Sequence, residues 1–422
     1  MAKRRGIPML AGLPREVGVL SAIAFCVALG FGIVAPAIPL FAKSFGVSTT
    51  AATAVISVFA FMRFVTSPAA GWLVNRIGER TMLATGLGIV ALSSALAGLA
   101  TDFPHLLILR GIGGVGSSMF TVSALALLLR VVEPAQRGRA AGAYQGGFLL
   151  GGVTGPAVGG LVTGISLRLP FFIYAITLTA ALIVALVFLT RTHITEREAD
   201  VAEAENSLTR DRNPERVGIP MSQALRDSAY RAALAVNLGS GFAFFGLRSA
   251  VIPLFVVESL QRGPELTGIG LLVSAAVQAA LLLPAGRLAD TRGRRPALII
   301  GTVGATAAMA LLALTTSMPL FLVAMAVFGA GSAFLGSAPS AVVGDVTGGA
   351  PGGIVVAAFQ MCSDFGAIVG PLAAGVIIDA TGSFALAFAV GTAVGLFGLV
   401  MTLPMRETLP RLAPARDARH AE

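Results

Sequence analysis

Apolar runs long enough to cross a lipid bilayer follow one another along nearly the whole chain, and this excludes a water-soluble globule. Of 422 residues 12% are charged and 55% are hydrophobic, and Val17 to Thr190 alone holds about six runs of 18 or more residues nearly free of charge. Coiled at about 1.5 Å per residue, such a run matches a hydrocarbon layer of about 30 Å, and a soluble core cannot absorb so many. Twelve spans are expected, at 17–41, 49–73, 81–100, 104–128, 139–164, 169–190, 232–257, 266–286, 296–315, 319–343, 354–378 and 383–404.

The net charge of +9 and pI near 10.8 invite a nucleic-acid reading, but the cations sit in short clusters between the runs and Tyr and Trp number four in total. Topology explains them better, and no nucleic-acid partner is expected. With the N-terminus inside, the inner loops and termini hold 17 Lys and Arg without counting the long central loop, against Lys43, Arg168 and Arg262 outside. This bias predicts a multi-pass protein of the cell membrane with both termini cytoplasmic. Lys3, Arg4 and Arg5 resemble the start of a secretory signal, but the run Val17 to Phe41 is too long for one and lacks a small-residue cleavage site, so it is read as the first span. Cys26 and Cys362 lie inside apolar runs with no paired spacing, which gives no disulfide and no metal site.

From Arg191 to Arg231 the composition turns abruptly to mixed charge, and six spans lie on either side. The expected organisation is therefore an N-terminal six-helix bundle (1–190), a solvated cytoplasmic linker (191–231) and a C-terminal six-helix bundle with a short tail (232–422). The halves are copies. Gly71-Trp-Leu-Val-Asn75-Arg76-Ile-Gly78-Glu79-Arg80 recurs as Gly286-Arg-Leu-Ala-Asp290-Thr-Arg292-Gly293-Arg294-Arg295, displaced by 215 positions. At the same offset Gly155-Pro156 matches Gly370-Pro371, Gln145 matches Gln360 and Gly114 matches Gly329, while Gly32 and Pro39 match Gly246 and Pro253 with one residue slipped. The expected fold is an all-α integral membrane protein of twelve transmembrane helices in two pseudo-symmetric bundles, with a cavity between them at mid-depth.

These residues resemble the major facilitator superfamily along essentially the whole chain. The two basic loops resemble its Gly-x-x-x-Asp-Arg-x-Gly-Arg-Arg pattern, with Asn75 in place of Asp in the first copy and Thr291 in place of Arg in the second. Arg110-Gly-Ile-Gly-Gly114-Val-Gly116 resembles the family's arginine motif associated with proton transfer, and Gly151 to Gly160 resembles the motif of its antiporters, in particular the twelve-span drug:proton group. Gly30 to Pro39 resembles the first-span signature of that group. The resemblance implies rocking of two halves around a cavity lined by spans one, four, seven and ten. It also implies a cytoplasmic latch at Gly71, Asn75, Arg76, Gly78, Arg80, Gly286, Asp290, Gly293, Arg294 and Arg295.

Residue chemistry gives matching expectations. Glycines 151, 155 and 159, one turn apart, let a neighbouring helix approach, and Pro156, repeated at Gly370-Pro371, bends its span, as suits a gate. Gly71 and Gly78, like Gly286 and Gly293, are read as framing a tight turn that fixes the latch cations. A charge at mid-span costs about 2.5–3.5 kcal/mol on insertion scales, so Arg63, Arg110, Arg248 and the one deep carboxylate, Asp364, need roles. Asp364 is about ten residues and Arg63 about eight from the cytoplasmic ends, depths of roughly 15 and 12 Å. The resemblance puts spans two and eleven side by side, which makes Arg63 and Asp364 a candidate pair, either a proton-sensitive coupling element or a static one. At the repeat offset their counterparts are Gln278 and Leu149, both uncharged. Arg110 is assigned to coupling, with snorkelling to the outer surface as the alternative. Arg248, Tyr144, Gln145, Phe359 and Gln360 are candidate cavity residues, with core packing the alternative for the two aromatics.

No Walker-type Gly-x-x-x-x-Gly-Lys is present and no carboxylate pair shares a histidine, so neither ATP hydrolysis nor an enzyme is expected. The expected function is proton-coupled export of small hydrophobic molecules or drugs by a monomer that needs no cofactor beyond the proton gradient. An organic anion or sugar carrier, a lipid flippase and a transporter-like sensor are the alternatives.

Overall fold

The computed structural model describes residues 13–132, 136–189, 219–347 and 353–409. Twelve helices among them are long and apolar enough to cross a membrane: Arg15–Lys43, Thr49–Val74, Glu79–Gly98, Phe103–Leu128, Arg139–Ile165, Leu169–Phe188, Ser228–Ser259, Pro264–Thr291, Arg294–Ala313, Met318–Thr347, Ile354–Thr381 and Phe384–Thr402. Most of the linker, residues 190–218, lies outside the described residues. The seventh span starts four residues before the expected 232, at Ser228, because the Asp227 carboxylate accepts a hydrogen bond from the Ala229 N–H (3.0 Å) and caps the helix there.

By contacts the chain groups into two units, Met1–Val47 with Val58–Glu215, and Ser48–Ser57 with Arg216–Glu422. The first turns of the second span thus belong with the second unit. There the Asp379 carboxylate, near the end of the eleventh span, accepts from the backbone N–H groups of Thr49 (2.8 Å) and Thr50 (2.7 Å). This occupies two of the donors that a helix start leaves open.

In the first unit the fifth span packs along the first through glycines. A Cβ on Gly151 or Gly155 would lie 2.5 Å from the carbonyl oxygens of Phe25 and Leu29 respectively, and Gly147 and Gly159 abut Ser21 and Ile33 in the same way. A Cβ on Gly32 would lie 2.6 Å from the Pro156 ring. The second unit repeats this: Gly366 and Gly370 lie against Leu238 and Phe242, and a Cβ on Gly246 would stand 3.1 Å from the Pro371 ring. Close backbone approach without side chains between is how helices associate in lipid. The helices run unbroken through both prolines, from Arg137 to Ile165 and from Gly353 to Thr381. Each proline ring is seated against a glycine of the neighbouring span, so it serves packing as well as any bend.

The seventh span departs from a plain α-helix. It turns π-helical over Gly241–Leu247, returns to α over Arg248–Leu254 and is π-helical again over Phe255–Ser259. The one-residue slip in the repeat falls here. Pro39 and Pro253 differ by 214, whereas Thr49 and Pro264, which begin the next spans, differ by 215. A π turn holds more residues than an α turn, and the second π segment lies where the extra residue must be accommodated.

Candidate functional site

Arg110 sits two turns into the fourth span, whose start is fixed by Asp102 accepting from the His105 N–H (2.9 Å). Its side chain does not snorkel. The residue is 2% exposed, and its guanidinium lies over the Phe59 ring at 4.4 Å from the centroid. The glycines that follow create this contact. A Cβ on Gly113 would touch the Phe59 ring at 3.4 Å, Gly114 lies against the Phe59 carbonyl, and Gly116 sits 2.8 Å from the Gly86 carbonyl by the same measure. Spans two and three are thereby drawn onto the fourth. Phe31 stacks on Phe59 (6.1 Å) and meets Tyr174 edge-on (6.3 Å), which surrounds the cation with rings. The Nε of Arg110 is buried without a hydrogen-bond partner.

Arg248 lies between the two π segments of the seventh span, with its guanidinium 5.8 Å from the centroid of the buried Phe328 ring. Phe328 is held edge-on by Phe244 at 4.8 Å. The Arg248 Nη2 is also buried without a hydrogen-bond partner.

Arg63 and Asp364 are both half-buried, the first in the first unit and the second in the second unit. Tyr144 is buried with its ring edge-on to Phe148 (5.2 Å) and its hydroxyl unpartnered. Gln145 and Gln360 are exposed. Phe359 takes the packing alternative given for it: it packs with Tyr230, Val236 and Val355 in the core of the second unit, and its carbonyl accepts from Asn237 Nδ2 (2.6 Å). A cleft in that unit, bordered by Ser240, Phe244, Thr302 and Gly395, lies beside the first π segment and does not include Arg248.

The basic loops are built differently from the expected frame. Gly78 (φ 82°) and Gly293 (φ 118°) adopt the left-handed backbone that glycine alone takes without strain, and these residues make the turns. Gly71 and Gly286 lie inside helices with open space where a Cβ would go, so they do not frame a turn; this corrects that part of the expectation. Arg76 stacks on Trp72 at 4.0 Å. Arg80 donates to the Leu186 carbonyl (2.8 Å) and Arg295 to the Leu403 carbonyl (2.5 Å), so each caps the end of its unit's last span. In the second unit Arg294 joins Asp290 (2.5 Å) to Asp345 (3.2 Å), and the Glu407 carboxylate accepts from the N–H groups of Arg294 (2.8 Å) and Arg295 (3.1 Å), opposite the positive end of the ninth helix. Beyond the last span Arg406 pairs with Asp227, and this hydrogen bond holds its guanidinium above the ordinary arginine range.

The first unit carries a pair that the sequence reading missed. Arg130 Nη1 lies 2.5 Å from Glu79 Oε1. Moved by the repeat offset of 215, Glu79 becomes Arg294 and Arg130 becomes Asp345. The same two sites are therefore bridged in both halves with the charges exchanged.

The family profile of the Major Facilitator Superfamily matches residues 20–272 and again 233–421. The chain belongs to that superfamily. Among curated relatives, a 158-residue stretch is 32% identical to Multidrug resistance protein 2 of Bacillus subtilis (strain 168), covering 37% of this chain and 40% of that protein. A stretch of 158 residues is 26% identical to Quinolone resistance protein NorA of Staphylococcus aureus (strain MRSA252), covering 37% and 41%. The matched stretch thus spans about two fifths of these relatives. Among solved structures, a POT family transporter in complex with a thioalcohol-conjugated peptide superposes with a TM-score of 0.72 at 12% identity, over 94% of this chain and 97% of that one. The human organic anion transporter MFSD10 (TETRAN) gives 0.64 at 18% identity, over 92% and 100%. These superfamily likenesses establish the fold, a multi-pass membrane architecture of twelve helices.

Proposed function

We propose that this superfamily member is a secondary active transporter of the cell membrane that exports small, largely hydrophobic molecules in exchange for protons, by alternating access. The names of its bacterial relatives support export of drug-like compounds, and the lysine and arginine bias of the loops supports cytoplasmic termini. Energy comes from the proton gradient without a bound cofactor, and the working unit is a monomer, 1–190 rocking against 232–422 about the linker.

The observation that carries proton coupling is Asp364. Among the described residues it is the one carboxylate placed well inside a span, while Glu79, Glu258, Asp290, Asp345 and Asp379 stand at span ends. In this reading a proton taken from outside neutralises Asp364, and the loss of its charge favours the state from which substrate exchanges. On the basic side the ion pairs Glu79–Arg130 and Arg294–Asp345 and the Glu407 cap hold the ends of the spans that must move together.

Purified protein in liposomes under an imposed pH gradient tests this. Wild type expels an uncharged hydrophobic dye such as Nile red with matched proton movement, and Asp364→Asn loses the dependence on the gradient. Coupling that survives in Asp364→Asn removes the carboxylate from the mechanism.

A further inference from the structure

We propose that the substrates of this chain carry a negative charge, as a carboxylate or sulfonate on an apolar body, and that Arg248 is the group that receives it. The inference rests on the transport reading above and adds the substrate's charge class to it.

The spans bury more positive charge than negative. Three arginines, Arg63, Arg110 and Arg248, lie deep within spans, against one carboxylate, Asp364. Arg63 and Asp364 cancel in number, which leaves two positive charges. Among the described residues Arg110 Nε and Arg248 Nη2 are buried without a hydrogen-bond partner, and the two guanidiniums lie against the ring faces of Phe59 and Phe328 respectively. A ring face offsets only a part of what withdrawing a cation from water costs. The deficit is made up when an anion arrives.

The two arginines differ in access. Arg110 is 2% exposed and closed in by Phe59 and its surrounding rings. Arg248 keeps partial exposure and sits where the helix widens into π turns, a geometry concentrated at functional sites. The other carboxylate of its span, Glu258, lies ten residues further on, about 15 Å along the helix and out of reach. Phe328 and Phe244 give the guanidinium an apolar wall. A planar guanidinium beside such a wall suits an amphiphile with a bidentate anionic head. The repeat argues against a relic of duplication, because Arg248 corresponds to Val34 at the local offset of 214 and Arg110 to Met325 at 215.

Three probes with one apolar body and different heads, 1-naphthylacetate, 1-naphthylacetamide and 1-naphthylmethylamine, test the charge class on the full-length protein. Binding is read from thermal stabilisation in detergent, and competition from Nile red efflux in proteoliposomes. The acid is expected to act at a concentration at least tenfold below the amide, and the amine to be weakest. Arg248→Gln should bring acid and amide together, and Arg248→Lys should keep part of the preference. Equal action of acid and amide on wild type, or an amine that acts best, overturns the proposal without reliance on any variant. An acid preference retained in Arg248→Gln removes Arg248 as the receiver. Nile red efflux blocked by the amine and untouched by the acid overturns the anion proposal and leaves the transport reading standing. No movement of Nile red or any of the three probes under a proton gradient overturns the transport reading, and this proposal with it.

Discussion

Glu79→Arg gives the first half the residue that the second half carries at the matched position, and it should nevertheless destabilise the first unit. Glu79 Oε1 stands 2.5 Å from Arg130 Nη1, with side-chain exposures of 9% and 53%. Two unit charges about 4 Å apart at an effective dielectric near 20 interact by about 4 kcal/mol. The exposed half of Arg130 lies in high dielectric and is screened by salt, which reduces this to about 1–2 kcal/mol. Reversing one sign removes that attraction and adds a repulsion of similar size, so Glu79→Arg and Arg130→Asp should each cost about 2–4 kcal/mol. The double variant rebuilds the polarity of Arg294–Asp345 and should return to within about 1 kcal/mol of wild type, leaving a large coupling in the double-mutant cycle. The assay is thermal unfolding followed by a thiol-reactive dye in a Cys362→Ser background, where Cys26 of the first span reports on the first unit. Single variants should unfold roughly 4–16 °C earlier, taking about 2–4 °C per kcal/mol for a unit of this size. A double variant as unstable as the sum of its singles refutes the claim that the two halves share one ion-pair geometry.

Two further outcomes follow from packing and caps. Asp379→Ala leaves the Thr49 and Thr50 N–H groups without their carboxylate and should cost about 1–2 kcal/mol, read as an earlier thermal transition; an unchanged transition would show that water caps this helix as well. Gly155→Leu, whose Cβ would lie 2.5 Å from the Leu29 carbonyl, should abolish the monodisperse folded peak in size-exclusion chromatography. Gly152→Leu, with open space at the same point of the helix, should leave the peak intact, and equal behaviour of the two would contradict the glycine contact.

The spans were legible in the sequence because a bilayer imposes one length on every crossing element, and an apolar run of that length has few other uses. The glycine contacts were legible for a related reason: a residue with no side chain, repeated every turn, has a direct steric meaning. The π segments were not, since Gly241-Phe-Ala-Phe-Phe-Gly-Leu247 has the composition of any apolar span. Their trace in the sequence was the one-residue slip of the repeat, which by itself does not say where in the span the extra residue sits. Phe359 stayed open between cavity and packing because in a span apolar on all faces composition does not tell the face toward a cavity from the face toward a neighbouring helix. Gly71 and Gly286 were over-read, as helical residues whose conservation between halves answers no steric demand seen here. Glu79 was overlooked because its loop was read for cations alone, although the offset that pairs it with Arg294 was already in hand.

The duplication separates what this architecture requires of any half from what one half alone supplies. The glycine and proline contact between the first and fifth spans recurs between the seventh and eleventh with the same residue types, so packing there tolerates little change. The ion pair at the basic loop recurs in place and not in sign, which means that the fold needs a bridge between those two helix ends and is indifferent to its polarity. Arg63, Arg110, Arg248 and Asp364 recur in neither respect, facing Gln278, Met325, Val34 and Leu149 across the repeat. Charges that the scaffold does without in its other copy, at a cost of several kcal/mol each inside a membrane, are not retained for folding. Three of the four are positive, which is the balance that the anionic substrate proposed above calls for.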